Sequence, residues 1–128
     1  MAHIMVVDDE RDVVTLIKFL LEKDGHTITE AHNGAEALEK LGVEPAAQAE
    51  IPSLIILDVM MPIMDGYTTC TKLAANPKTR SIPVLVLTAK GATRDLFSLS
   101  PNVASHIDKP FNPKYLRELV GEMLAPKI

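Results

Sequence analysis

Five polar side chains follow or end short apolar segments of this sequence: Asp8, Asp9, Asp58, Thr88 and Lys109. Three carboxylates that meet in one cleft repel each other unless a cation neutralises them, and oxygen ligands without Cys or His suit Mg²⁺. An aspartate on a rigid strand end can act as the nucleophile that forms an aspartyl phosphate. A lysine can pair with the phosphoryl group, and a threonine hydroxyl can donate to one of its oxygens. Together, these side chains predict Mg²⁺-dependent transfer of a phosphoryl group to Asp58.

The strongest positioning signal is the apolar stretch that leads to Asp58. Residues 54–57 are four consecutive large apolar residues, and Pro62 follows shortly after them. Such a run predicts a strand that is buried on both faces, which is typical of parallel sheets covered by helices on both sides. Asp58 would then lie at the carboxyl end of a strand, where ligands bind in open α/β sheets.

Strand-like and helix-like patterns alternate five times along the chain. The predicted strands cover 3–7, 27–31, 53–58, 82–87 and 105–107, and the predicted helices cover 10–24, 34–41, 66–75, 93–100 and 113–124. With right-handed crossovers, this alternation gives an α/β fold with a doubly wound parallel sheet. The five polar side chains then meet at the carboxyl edge of that sheet. The stretch 42–52 is predicted to be an extended loop with one helical turn through 46–49.

Composition and charge restrict the class of protein. The chain has 128 residues, 47% of them hydrophobic and 23% charged, which fits one globular domain. The apolar runs are too short to span a membrane, and Asp8 and Asp9 interrupt the start before a signal peptide could form. Cys70 is the only cysteine, which excludes an internal disulfide and fits a reducing cytoplasm. The net charge of −4 gives no argument for nucleic-acid binding.

Four motifs in this order and at this spacing carry a resemblance to a known family. They are VVDDE at 6–10, LDVMMP at 57–62 with MDG at 64–66, LTA at 87–89, and DKPF at 108–111. The chain resembles the receiver domains of two-component response regulators, of the chemotaxis-Y type. The resemblance implies a flavodoxin-like (βα)5 three-layer sandwich whose five-stranded parallel sheet has the order 2-1-3-4-5. It also implies that Asp58 accepts a phosphoryl group from the phosphohistidine of a histidine kinase or a histidine phosphotransfer protein.

The same resemblance assigns roles around the phosphoacceptor. It implies that Asp9, Asp58 and the backbone carbonyl of Met60 bind Mg²⁺, while Asp8 acts through a water molecule. Lys109 would contact the phosphoryl group, and the peptide bond that follows it, before Pro110, would be cis.

Two further roles are implied by the resemblance. Thr88 and His106 would form the conformational switch, and Met60 and Lys90 would border the path of the water that hydrolyses the phosphoryl group. The chain departs from the family in three places: the loop 42–52 is longer, Pro101 interrupts the approach to the fifth strand, and His106 stands where Tyr or Phe is commoner.

Three other classes of protein share parts of this pattern. A haloacid-dehalogenase-type phosphatase also uses an aspartyl nucleophile and Mg²⁺, but it needs a second Asp where this chain has Met60. A flavodoxin-like electron carrier needs a phosphate-binding loop after the first strand, where Asp8 and Asp9 would repel the flavin phosphate. A phosphorylation-independent interaction module of the same fold would usually have lost the acidic site, which is intact here.

The remaining expectations concern organisation and partners. We expect residues 1–128 to form a single receiver domain that is cytoplasmic, acts without an attached output domain and catalyses only its own phosphorylation and autodephosphorylation. We expect a monomer that binds no nucleic acid and no membrane and passes its signal to a downstream effector protein. The expected contact surface consists of Leu96, Phe97, Leu99, Ala104 and Ser105.

Overall fold

The computed structural model describes residues 2–59, 61, 63–89 and 101–125, which form one five-stranded sheet with helices on both faces. In chain order the elements are β1 (His3–Val7), α1 (Arg11–Lys23), β2 (Thr27–Ala31), α2 (Gly34–Lys40), β3 (Leu54–Asp58), α3 (Gly66–Ala75), β4 (Val84–Ala89), β5 (Val103–Lys109) and α4 (Pro113–Leu124). All four strand pairs are parallel, and the strand order is β2-β1-β3-β4-β5. The predicted fold class and strand order are therefore confirmed. The predicted helix 93–100 lies outside the described residues.

Side chains of successive strand residues point to opposite faces, and the two faces have separate cores. Ile56 of β3 and Leu87 of β4 pack with buried residues of α1 and α4. Leu57 and Val86, one residue away from them along the same strands, pack with α2 and α3. Every residue of β3 is buried, as predicted for a central strand covered on both sides.

Three helices begin at side chains that accept hydrogen bonds from backbone N–H groups of the first turn. Asn33 accepts from the N–H of Glu36, and Asp65 accepts from the N–H of Thr68 at 2.7 Å. Asn112 caps α4 in the same way, with a proline at the first helical position. These starts agree with the sequence predictions because the cap is a local feature.

The loop 42–52 does not contain the predicted helical turn through 46–49. Val43 and Ala46 instead form an isolated antiparallel bridge, and the N–H of Ala47 donates to the carbonyl of Gly42 at 3.0 Å. Gly42 has a φ of +71°, which only glycine adopts without strain. A compact hairpin-like turn replaces the helical one.

Two lysines fasten this loop to the region around the end of α3. Nζ of Lys78 donates to the carbonyl oxygens of Gly42 at 3.1 Å and Ala47 at 2.7 Å. Nζ of Lys72 lies 2.7 Å from Oε1 of Glu44. The loop is thus held both by its own backbone hydrogen bond and by side chains from outside it.

A forked ion pair joins α4 to the end of α1. Nε of Arg117 donates to Oδ2 of Asp24 at 3.0 Å, and a second guanidinium nitrogen contacts Oδ1. The hydrogen bonds from Arg117 lower the pKa of Asp24 below its usual value of 3.8.

Within the described part of the chain, no helix is both long enough and apolar enough to cross a membrane.

Candidate functional site

The carboxyl ends of β1, β3 and β5 bring together three of the predicted side chains. β1 and β3 are in register up to Val7 and Leu57, so the next residues, Asp8 and Asp58, are neighbours. Lys109 ends β5, two residues after Ile107, whose side chain packs on the α1/α4 face. Since side chains two residues apart share a face, Lys109 points to the same side of the sheet as Asp58. Three of the five predicted groups therefore lie together at this edge.

Lys109 is the cation of this cluster. Its Nζ lies 2.8 Å from Oδ2 of Asp8, 3.3 Å from Oε1 of Glu10 and 3.4 Å from Oδ2 of Asp58. The Asp8 side chain is fully buried and that of Asp58 is 6% exposed, while the Lys109 side chain keeps 20% of its surface. Two almost completely buried carboxylates thus share one ammonium group.

The surroundings of Lys109 have opposing effects on its pKa. Burial lowers the pKa of the ammonium group, whereas the hydrogen bond to Asp8 and the negative charges of Asp8 and Asp58 raise it. The net result is a pKa above the usual value of 10.5. Lys109 therefore stays protonated at neutral pH and is available to a phosphoryl group.

The same cluster offers oxygen ligands to a metal ion. One carboxylate oxygen from each of Asp8, Glu10 and Asp58 lies within 4.8 Å of the other two. Oδ1 of Asp8 also accepts a hydrogen bond from the N–H of Glu10 at 2.9 Å, which fixes the orientation of that carboxylate. A set of hard oxygen donors at an open edge of the sheet fits Mg²⁺.

The carboxylates of this cluster differ in one residue from the predicted acidic ligands Asp8, Asp9 and Asp58. The structure brings Glu10 to Asp8 and Asp58, whereas Asp9 is exposed and lies outside the group. The sequence analysis placed Glu10 in the VVDDE motif and at the start of the first predicted helix, without a role as a ligand. The overlooked signal is local: an aspartate can accept a hydrogen bond from the N–H two residues later, as Asp8 does from Glu10, and this turn keeps the two residues together. The role of Asp9 remains a prediction.

Thr88 lies at the end of β4, on the opposite face of the sheet from the acidic cluster. It is buried, and its Oγ1 donates a hydrogen bond to Oδ1 of Asp108 at 2.7 Å. His106 is the register partner of Val86, so it lies on the same face as Thr88. His106 is exposed in this structure.

One further prediction for the site can be compared with the structure, and five residues with predicted roles fall outside the described part of the chain. The Lys109–Pro110 peptide bond is cis, as predicted. Met60 and Lys90 lie outside the described residues, as do Leu96, Phe97 and Leu99 of the expected contact surface.

Gly66 supports the strand end that carries Asp58. Its N–H donates to the carbonyl of Val59 at 2.8 Å, and a Cβ at this position would lie 2.4 Å from the carbonyl oxygen of Asp58. Any side chain here would push α3 away from the phosphoacceptor strand. The sequence placed Gly66 only in the MDG motif and at the start of the third predicted helix.

A parallel sheet of this order with an aspartate, further acids and a lysine at its carboxyl edge defines a class of signalling modules. The chain belongs to the response regulator receiver domain family, whose sequence model matches residues 4–121. It is thus a module of two-component phosphorelay signalling.

Individual relatives agree with this assignment. The alkaline phosphatase synthesis transcriptional regulatory protein PhoP of Bacillus subtilis is 38% identical over 122 residues, which cover 94% of this chain and 48% of that protein. The receiver domain of a signal transduction histidine kinase from Syntrophus aciditrophicus is 33% identical, with a TM-score of 0.83 and coverage of 100% and 97% of the two chains. The response regulator TrrA from Thermotoga maritima, solved in complex with Mg²⁺ and BeF, is 33% identical, with a TM-score of 0.78 and coverage of 97% and 100%. The chain spans about half the length of PhoP.

Proposed function

We propose that Asp58 accepts a phosphoryl group from the phosphohistidine of a histidine kinase or a histidine phosphotransfer protein. The observation that carries this proposal is the position of Asp58 at the end of a fully buried strand, with Nζ of Lys109 3.4 Å from its carboxylate. A rigid strand end holds the nucleophilic oxygen in place, which favours attack on phosphorus. The P–N bond of the donor breaks as the O–P bond to Asp58 forms.

The neighbouring side chains balance the charge of this transfer. Asp8, Glu10 and Asp58 would hold Mg²⁺, which would supply positive charge to offset the carboxylates when a phosphoryl group approaches. Lys109 lies among the same carboxylates and pairs with a phosphoryl oxygen. Asp9 and the backbone carbonyl of Met60 are proposed as further ligands, on the resemblance to the family.

The response to phosphorylation is assigned to Thr88 and His106. The Thr88 hydroxyl donates to a phosphoryl oxygen, and the exposed ring of His106 turns inward into the space that Thr88 leaves. On the resemblance to the family, we also propose that Met60 and Lys90 set the lifetime of the phosphoryl group by controlling access of the hydrolytic water. The chain catalyses only its own phosphorylation and dephosphorylation.

We also propose that the chain acts as a monomer and passes its signal on by binding to a downstream effector protein. The net charge of −4 supports a receiver unit that itself contacts no nucleic acid. The relative PhoP is named a transcriptional regulatory protein, and the part of PhoP that matches this chain is 48% of its length. A cytoplasmic location fits the partner kinases of the family.

Incubation with acetyl phosphate and Mg²⁺, followed by intact-mass measurement, tests the phosphoacceptor. We expect the chain to gain the mass of one phosphoryl group, and Asp58→Asn to gain none, because the amide is nearly isosteric but not nucleophilic. Asp12→Asn is a matched control, since Asp12 is an exposed aspartate in the first turn of α1, and it should be labelled like the wild type. Full labelling of Asp58→Asn would refute the assignment.

A further inference from the structure

The Thr88 hydroxyl is bound to a side chain that the proposed function does not use. Oγ1 of Thr88 donates to Oδ1 of Asp108 at 2.7 Å, and the two residues are register partners on β4 and β5. Thr88 is 4% exposed, whereas Asp108 lies at the surface, where its charge is solvated. The bond therefore has an anionic acceptor and a buried donor.

This hydrogen bond and the phosphoacceptor lie on opposite faces of the sheet. Asp58 is the register partner of Leu87, whose side chain packs on the α1/α4 face. Thr88 is the next residue of β4, and it therefore points to the other face, as Val86 does. To donate to a phosphoryl oxygen on Asp58, the Thr88 hydroxyl has to turn around the end of the sheet.

The two hydrogen bonds of Thr88 exclude each other. A hydroxyl group carries one hydrogen and can donate to only one acceptor at a time. The Asp108 carboxylate holds that hydrogen in the structure described, and a phosphoryl oxygen on Asp58 would need the same hydrogen. An anionic acceptor binds a hydroxyl more strongly than a neutral one does, so the charge of Asp108 favours the unphosphorylated arrangement.

We propose that Asp108 is a positioning residue that holds the Thr88 hydroxyl away from Asp58 and so sets how readily the chain switches. This inference rests on the proposed function, because it concerns the same switch threonine. Weakening the acceptor raises the fraction of molecules in which Thr88 is able to turn. The apparent affinity for a phosphoryl-like ligand rises by the same factor.

The test compares Asp108→Ala and Asp108→Asn with the wild type in beryllofluoride binding. With Mg²⁺ present, titration followed by NMR should give about fivefold tighter apparent binding for Asp108→Ala, the effect expected from losing one hydrogen bond in the free state. Asp108→Asn keeps a neutral carbonyl acceptor, so its apparent affinity for beryllofluoride should lie between those of the wild type and Asp108→Ala. Without beryllofluoride, the Thr88 methyl resonance of Asp108→Ala should shift toward its position in the bound wild type.

A control variant separates a specific effect from a general loss of stability. Asp24→Ala removes a surface carboxylate that also accepts side-chain hydrogen bonds, from Arg117, and it should leave beryllofluoride binding unchanged. Equal affinities for the wild type and Asp108→Ala, with an unmoved Thr88 resonance, would overturn the role of Asp108 and leave the proposed function standing. A wild-type chain that binds no beryllofluoride and takes no phosphoryl group would overturn both.

Discussion

Replacing Lys109 by methionine tests the electrostatics of the site most directly. The substitution keeps an unbranched side chain and removes the positive charge that Asp8 and Asp58 share. Both carboxylates are almost fully buried, so the variant has two close negative charges without the ammonium group that lies between them. We expect Lys109→Met to be folded but clearly less stable than the wild type without Mg²⁺.

The size of the effect follows from burial. Breaking a buried ion pair by removing one partner costs about 3–5 kcal/mol. The lower end applies here, because the Lys109 side chain keeps 20% of its surface and Glu10, 62% exposed, can turn into solvent. A loss of about 3 kcal/mol corresponds to a urea midpoint lower by roughly 1.5 M, for a urea dependence of about 2 kcal/mol per molar.

Mg²⁺ should reduce this difference. An ion at a hundred times its dissociation constant stabilises a fold by about 2.7 kcal/mol. The variant should bind Mg²⁺ more tightly than the wild type, since no ammonium group competes for the carboxylates. Urea unfolding with and without millimolar Mg²⁺ measures both the stability that Lys109→Met loses and the part of that loss that Mg²⁺ restores.

Lys114→Met is the matched control for this experiment. Lys114 is an exposed lysine in the first turn of α4, and its replacement should leave the midpoint nearly unchanged under both conditions. A loss of less than about 1 kcal/mol for Lys109→Met without Mg²⁺, against the cost expected for a buried pair, would refute the reasoning. So would a difference from the wild type that Mg²⁺ leaves unaltered.

Four further predictions address other parts of the chain. Asp58→Asn should raise the melting temperature without Mg²⁺, because it removes one of the crowded carboxylates; an unchanged or lower value would contradict this. Met60→Asn should accelerate loss of the phosphoryl group after removal of the donor, since an amide can orient water and a thioether cannot; equal decay by intact mass would exclude the role of Met60. Burial raises the pKa of the Cys70 thiol from 9.0 to about 12. Between these two pH values the thiol ionises only in the unfolded chain. The free energy of unfolding of the wild type should therefore fall by roughly 1.4 kcal/mol per pH unit above pH 9. Cys70→Ala should lack that slope in urea unfolding. Lys78→Met should speed amide hydrogen exchange in the loop 42–52 and leave phosphorylation unchanged; unaltered exchange would mean that the two carbonyl contacts do not hold the loop.

The features that the sequence predicted correctly depend on local patterns. β3 is recognisable because residues buried on both faces give an uninterrupted apolar run, and α3 and α4 begin at Asp65 and Asn112 because capping involves neighbours in the chain. The meeting of Asp8, Asp58 and Lys109 followed from topology, since parallel strands end at one edge.

The features that the sequence missed depend on partners distant in the chain. β5 begins at Val103, two residues before the predicted start at 105, and its pairing with β4 is irregular beside Leu85. This stretch is a strand because it pairs with β4, and its own composition does not indicate one. The loop 42–52 takes its shape partly from Lys78, more than twenty-five residues away in the sequence. Asp108 appeared in the sequence only as part of a motif, since its bond to Thr88 requires the register of two strands.

The position of the lysine-fastened loop makes it a natural place for protein engineering. The loop leads into the start of β3, and the N–H of Ser53 donates to the carbonyl of His3 at the start of β1. Asp58 lies at the other end of β3, about 13 Å away at a rise of about 3.3 Å per residue. A peptide tag or small reporter domain inserted after the exposed Gln48 would therefore be separated from the acidic cluster by the length of the sheet. Length variation in this loop is thus compatible with an unchanged phosphoacceptor edge.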